Sequence, residues 1–430
     1  MGPWNLVRAL NRVQRNTFIA SFLGWTLDAF DYFVVTFVVI HIASDFKQAI
    51  PLVALTITVT LMMRPVGALI FGILADRFGR RVPLMVDIIF YSVIELLTAF
   101  SPNFTIFFIL RALYGIGMGG EWGVGASLAM ESLPTESRGL FSGILQQGYA
   151  VGYLLAAVIF IVVFPNFGWR GMFVIGALPA LLVLFIRSRV PESEVWQHHS
   201  TRRVESGTSI WGSMLNAIRR HWVLFIYSIL LMAAFNYMSH GTQDLYPTFL
   251  EKQRGLGTAT VGTIAIIYNI GAICGGTFFG YFSQRWGRRL TIIIASALGI
   301  LLIPLWAFSP SLVLLTIGAF LMQFMVQGAW GVIPVHLNEL SPSAVRGTFP
   351  GFTYQLGNLI SANAAFLEAQ FATNFKTANG SPNYALTLAI LAVSVFVAVI
   401  ILTAIGREAR GIEFMERSDQ ETAQEMQRTA

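Results

Sequence analysis

Between Phe235 and Leu250 the chain reads FNYMSHGTQDLYPTFL, gathering Asn236, Ser239, His240, Thr242, Gln243 and Asp244 ahead of Pro247. Amides, hydroxyls, an imidazole and a carboxylate in one short stretch can bind an anion or pass a proton. Arg64 adds a cation that does not deprotonate and can grip a carboxylate through two parallel hydrogen bonds. Asp28, Asp31 and Glu121 add titratable carboxyls. None of this is typical of its surroundings, because the flanking sequence is oily, and polar groups in hydrocarbon are costly and mark function by default.

The 430 residues are 55% hydrophobic and only 12% charged, with mean hydropathy +0.66. A soluble domain carries roughly 25% charged residues, so this composition describes an integral membrane protein. Arg8, Arg12 and Arg15 precede the first apolar run, but no short apolar core ends in a cleavage site, so that run is expected to remain as a span. The lone Cys274 excludes an internal disulfide and leaves the redox compartment open. No metal cluster, nucleophile elbow or phosphate loop is present, and His198–His199 falls in a loop. We therefore expect no enzyme, no catalytic residue, no metal and no cofactor. The net charge of +6 is spread over loops and does not indicate nucleic acid.

Apolar runs of about 20 residues between polar breaks predict an all-α membrane protein of twelve helices, near 17–40, 51–74, 82–100, 104–131, 139–163, 170–188, 221–246, 259–283, 290–308, 311–338, 348–372 and 384–405. The predicted organisation is a six-helix half over 1–188, a linker over 189–220, a second half over 221–405 and a tail over 406–430. The side holding both termini collects Arg77, Arg80, Arg81, Arg138, Arg285, Arg288, Arg289, Arg346 and the linker arginines. The positive-inside rule makes that side cytoplasmic. A sequon at Asn103 lies too close to the predicted bilayer for glycosylation and is read as chance.

The halves repeat at a constant offset of 208. GILADRFGRR from Gly72 returns as GYFSQRWGRR from Gly280; Glu131, Arg138 and Gln147 return as Glu339, Arg346 and Gln355. Repeats with the same even helix count share a membrane orientation, so an axis along the membrane normal relates them, with a cavity between. The chain resembles the major facilitator superfamily over its whole length, and the GxLADRxGRR loop is the most specific sign. The resemblance implies a major facilitator fold and a conformational latch formed by Gly72, Asp76, Arg80, Glu131, Arg138, Arg288, Glu339 and Arg346. The bland alternative is that the arginines only hold loops inside. Gln284 stands where Asp76 would repeat, which predicts a weaker second latch.

At 1.5 Å per residue, Arg64 is about 12 Å and Glu121 about 15 Å from the latch side, and Asp28 and Asp31 lie about halfway along helix one. Their repeat partners are Ala272, Ala329, Asn236 and Ser239, so charge is confined to the first half. Arg64 either receives a substrate carboxylate or forms a permanent ion pair with Glu121 or Asp28. Asp28 and Asp31, three residues apart on one helix face, and Glu121 are the candidate proton carriers; hydrogen bonding in helix packing is the alternative. Arg111 is read as structural, and Glu95 stays open between packing and lipid exposure. Asn236, His240 and Gln243 share a narrow arc that should face the cavity, with Pro247 breaking helix seven near its outer end.

The pattern Asn236, Ser239, His240, Thr242, Gln243, Asp244, Thr248 is similar to the helix-seven signature of the fungal Jen-type lactate permeases. LDAFDYF at Leu27, GIGMGGEWGVGA at Gly115 and QQGYAVGYLL at Gln146 also resemble that family and the wider sialate:proton symporter group. The resemblance implies proton-coupled uptake of short monocarboxylates such as lactate, pyruvate and acetate. Substrate-binding roles then fall to Arg64, Asn236, His240, Gln355, Asn358 and Gln147, and proton coupling to Asp31, Asp28, Glu121 and Asp244. The expected partners are a small carboxylate, protons and the lipid bilayer, with no nucleic acid, and the protein is expected to act as a monomer in the cell (inner) membrane. The short tails differ from fungal members and point to a prokaryotic chain. Two alternatives are a symporter of a larger acid, a sialate or an aromatic acid, and a nutrient sensor on a transporter fold.

Overall fold

The computed structural model describes residues 2–205, 210–377 and 380–414. Linker residues 206–209 and the predicted tail beyond 414 lie outside these. Ten continuous stretches are long and apolar enough to cross a membrane. One of them, Arg138–Arg189, turns at Gly168 (φ 62°) and so crosses twice, as helices five and six. The twelfth crossing, helix eleven, runs over Phe349–Ser361 and Ala364–Asn374. The other helices are Arg12–Asp45, Ile50–Phe78, Arg81–Ala99 and Phe104–Ser132 (one to four), Trp222–Gln243 (seven), Thr258–Trp286 (eight), Arg288–Ile303 (nine), Leu312–Trp330 with Ile333–Leu340 (ten) and Tyr384–Ile405 (twelve). The twelve-helix architecture is therefore as the apolar periodicity predicts, with longer ends. Asn103 caps helix four by accepting from the Ile106 N–H at 3.0 Å, which gives that residue a structural role.

Helix seven departs from expectation in where it breaks. The helix stops at Gln243, Asp244–Leu245 form a bend, and Pro247 sits in the first turn of the short continuation Tyr246–Thr248. Proline offers no N–H to the carbonyl four residues back and its ring crowds that carbonyl. The disruption thus falls at Gln243–Leu245, upstream of the proline itself.

The two repeated loops hold the halves in register. Gly79 and Gly287 both have φ near +95° (94° and 98°), a conformation that disfavours side chains. Each turn aims the following arginine back at a carboxylate. Arg80 Nη2 lies 3.0 Å from Glu131 Oε1 and its Nη1 lies 2.9 Å from Asp76 Oδ1; Arg288 Nε lies 2.9 Å from Glu339 Oε2. Two carboxylates that sequence reading overlooked complete these corners. Glu192 accepts from the Arg80 and Arg81 N–H groups, and Glu408 from those of Arg288 and Arg289, so each caps the start of helix three or nine.

Asp76 reaches across to the other half. It accepts from the N–H of Gly347 (2.7 Å) and from the N–H (3.0 Å) and hydroxyl (2.7 Å) of Thr348, at the N-terminus of helix eleven. Gly72 leaves room for this contact, since a Cβ there would meet Thr348 Cα at 2.7 Å. Gln284 instead accepts only from Arg288 among the described residues (2.7 Å), so the second corner lacks the reach of the first. Arg138, expected to pair with a carboxylate, donates to the carbonyls of Met130 (3.0 Å), Leu133 (3.2 Å) and Ile412 (2.8 Å). Its start-of-helix position places three unpaired helix-end and tail carbonyls nearer than any carboxylate. The Phe414 ring packs between Arg138 (3.8 Å) and Arg346 (4.2 Å), joining helix five to helix eleven. Over this end lies the linker helix Glu194–Glu205. Trp196 donates to the Asp76 carbonyl, Ser193 donates to Glu131, and burial with the Arg346 charge pushes His199 down to about 4, so it is neutral at neutral pH.

Among the described residues, every hydrogen bond between the halves lies at this termini-bearing end, so the cleft is closed there. The Asp76 contacts supply a charge-assisted part of that closure. Asp76→Asn should weaken it by about 1.5–3 kcal/mol, roughly ten- to a hundredfold in the closed-to-open ratio. Spin labels at the exposed positions Phe78 and Trp286, in a Cys274→Ser background, would report a new longer distance in Asp76→Asn and none in Gln284→Ala. An unchanged distribution in Asp76→Asn would show that the cap does not hold the closure.

Candidate functional site

Arg64 lies fourteen residues before the end of helix two, about 21 Å along its axis. It is 3% exposed, and its Nε and Nη2 have no hydrogen-bond partner. Among the described residues neither Asp28 nor Glu121 forms an ion pair with it. The guanidinium stands 5.6 Å from the centre of the Tyr354 ring and is electrostatically close to Tyr32, Tyr149 and Asp28. Tyr354, on helix eleven, is wedged between Trp122 (4.6 Å) and Trp330 (5.7 Å), which are repeat partners. These rings form a floor beneath Arg64 on the closed side. Tyr149 stacks on Trp25 at 5.6 Å and meets Phe33 at 5.0 Å, forming a wall between helices one and five.

The remaining predicted polar groups are divided around this space. Gln355 on helix eleven is fully buried with neither amide atom bonded, and Asn358, one turn on, is 4% exposed. Gln147 also lacks a partner at Nε2, and it occupies the space that a side chain at Gly276 of helix eight would need, between the halves. On helix seven the expected stripe splits. Gln243 donates to Gln323 of helix ten at 2.8 Å, and Gln323 in turn approaches the Thr242 hydroxyl (3.3 Å), so these two serve helix packing. Asn236 donates to the Met232 carbonyl of its own helix at 2.8 Å. His240 and Asp244 remain accessible and pair with each other, Nδ1 to Oδ2 at 3.1 Å. Asp244 also acts electrostatically on Tyr32, Tyr149 and Tyr268, which places it across the same space from Arg64.

Three of the four predicted proton carriers are set back from that space. Asp28, Asp31 and Glu121 are fully buried within the first half. Tyr114 donates to the Asp28 carbonyl at 2.9 Å and lies 3.5 Å from its Oδ1. The Asp31 carboxylate faces helices three and six: a methyl added at Gly176 would lie 2.8 Å from Asp31 Oδ1 and 2.7 Å from Glu95 Cγ. Glu121 packs onto Gly24 of helix one. Helix three also carries Asp87, buried and without a partner on either oxygen. Glu95 is fully buried, which settles its placement, and pairs with Arg111 at 2.7 Å. Arg111 also sits 4.1 Å above the Tyr114 ring, consistent with its structural reading.

Two sets of residues here escaped the sequence reading. One is the tyrosines around Arg64, whose signal was their position inside the quoted motifs, Tyr32 in LDAFDYF and Tyr149 in QQGYAVGYLL. The other is Asp87 and Tyr91, which with Glu95 are spaced i, i+4, i+8 and so aligned on one face of helix three. Among the described residues no group of histidine, cysteine and carboxylate side chains is arranged to hold a metal ion.

Comparison with known proteins places this arrangement. The chain is 31% identical over 420 residues to the carboxylic acid transporter protein homolog of Saccharomyces cerevisiae, spanning 91% of this chain and 68% of that protein. It is 29% identical over 352 residues to the sialic acid transporter NanX of Escherichia coli, spanning 81% and 85%. The solved structure of the proton:xylose symporter XylE matches with a TM-score of 0.77 over 95% of this chain and 99% of that one, at 17% identity, a likeness of fold. The sequence model of the Major Facilitator Superfamily matches residues 20–365 and 245–413. Nearly the whole chain is thereby accounted for, and it belongs to that superfamily of membrane transporters, which are not enzymes.

Proposed function

We propose that this protein is a proton-coupled symporter of short monocarboxylates, chiefly lactate and pyruvate, with acetate the smallest. The observation that carries the reading is Arg64: a fixed cation, buried between the halves, with Nε and Nη2 free. A carboxylate fits those two donors as a matched pair. The Saccharomyces relative, a carboxylic acid transporter by name, supports the same class. In this reading Gln355, Asn358 and Gln147 hold the rest of the substrate, and Asn236 and His240 approach it from helix seven. Asp31, Asp28, Glu121 and Asp244 carry or pass the proton. The loop arginines make the termini-bearing side cytoplasmic, so the closed latch gives an outward-facing state in a bacterial inner membrane. We propose a monomer, since each half completes its own helices and the site needs no second copy. A second reading, a larger acid such as a sialate or an aromatic acid, is favoured by the Tyr32, Tyr149 and Tyr354 rings, which could stack on a flat substrate.

A single fixed cation for the anion, with titratable carboxyls beside it, makes the cycle electroneutral. In proteoliposomes, an inside-alkaline pH gradient should drive lactate accumulation, and a membrane potential alone should not. Equal uptake under either force would contradict electroneutral symport.

Replacing Arg64 by lysine keeps the charge and loses the planar two-pronged donor. A lost charge-assisted hydrogen bond is worth about 1.5–3 kcal/mol, so lactate affinity of purified protein should fall roughly ten- to a hundredfold, and further in Arg64→Ala. Wild-type affinity in Arg64→Lys would move the anion to His240.

Asp31→Asn should abolish accumulation driven by a pH gradient while exchange of internal for external substrate continues, because exchange never returns an empty, deprotonated carrier. Parallel loss of both activities would show that Asp31 is not the dedicated proton site.

A further inference from the structure

The first half contains a row of ionisable groups that neither the substrate space nor the latch uses. Helix one supplies Asp28 and Asp31, helix three Asp87, Tyr91 and Glu95, and helix four Arg111, Tyr114 and Glu121; Arg64 of helix two borders the row at Asp28. Helix six contributes only the backbone at Gly176. All five carboxyls are 0% exposed. Glu95 has Arg111 as its ion-pair partner, and the Arg64 charge acts on Asp28. Asp31, Asp87 and Glu121 have no hydrogen-bond or ion-pair partner on either oxygen, and of the three only Asp31 has a cation, Arg111, acting on it from a distance. Three further uncompensated anions in hydrocarbon would be costly, which favours the protonated form of each.

Two observations separate this row from ordinary helix packing. The Tyr91 hydroxyl is fully buried and unpartnered, on the face of helix three that also carries Asp87 and Glu95 and that packs against helix four at Gly117. At the repeat offset of 208, Asp87, Tyr91, Glu95, Arg111, Tyr114 and Glu121 become Ala295, Gly299, Ile303, Ala319, Met322 and Ala329. The fold therefore does not require polar groups at these positions.

We propose that helices one, three and four enclose a proton relay set apart from the substrate space. In it Asp87 and Glu121 hold protons at one end and Asp31 at the other, with Asp28, Tyr91 and Tyr114 between. The relay touches the substrate site at one point, where Asp28 and an arriving carboxylate would compete for Arg64. Substrate binding and protonation are then linked through a shared cation. This proposal rests on the proton-coupled reading above and extends it to helix three.

Infrared spectroscopy of the full-length protein in lipid nanodiscs tests the relay without any substrate, so its outcome is separate from whether lactate is carried. At neutral pH, where free carboxyls are ionised, the wild type should show a protonated-carboxyl band. Asp87→Asn and Glu121→Gln should each remove roughly a third of it, in line with three uncompensated carboxyls; Asp45→Asn, at an exposed pair, should leave it intact. Should both variants fail to fold, Tyr91→Phe should still shift the band by removing the hydroxyl. A missing band, a band indifferent to all of these changes, or one that responds to sodium and not to pH would overturn the proposal.

Discussion

An arginine halfway across a bilayer has to be answered by an anion, because an uncompensated charge at that depth costs several kcal/mol. In this protein the answer is withheld. Arg64 is 3% exposed, the Tyr354 ring stands beside it, and Asp28, the carboxyl that acts on it electrostatically, forms no ion pair with it among the described residues. The aromatic faces soften the desolvation without pairing the charge. In the proposed cycle an incoming carboxylate brings the counter-charge with it.

The rest of the architecture follows from keeping that site sealed on one side. Trp122 and Trp330 hold Tyr354 beneath Arg64, and below them Asp76 caps helix eleven across the junction of the halves. The repeat supplies the same corner twice, but only the first has a carboxylate that crosses. Gln284 ties Arg288 within its own half, so one strong and one weak corner close the cleft. A gate built this way can open by losing a few hydrogen bonds, without disturbing the paired arginine–glutamate contacts inside each half.

Much of this was legible in the sequence. Apolar length gave twelve crossings, and the offset of 208 picked out Arg80, Glu131, Arg288 and Glu339, which pair within each half. Depth counting found Arg64. What spacing could not show was orientation across the bundle. Gln243 and Asn236 share an arc with His240, yet one bonds to helix ten and the other to its own backbone. Asp87 was overlooked and Glu95 stayed open between packing and lipid exposure, and only the packing of helix three shows both as buried. Glu192 and Glu408 sit in loops whose path follows no periodicity, so their capping of helices three and nine could not be read in advance.

The central claim is that the carboxylate of the substrate completes Arg64. Its most direct test is an experimental structure of the protein with lactate bound. The account predicts both carboxylate oxygens about 2.7–2.9 Å from Arg64 Nε and Nη2, above the Tyr354 ring, with Asp28 still directed at Tyr114. Lactate seated against His240, with Arg64 swung onto Asp28 or Glu121, would contradict it.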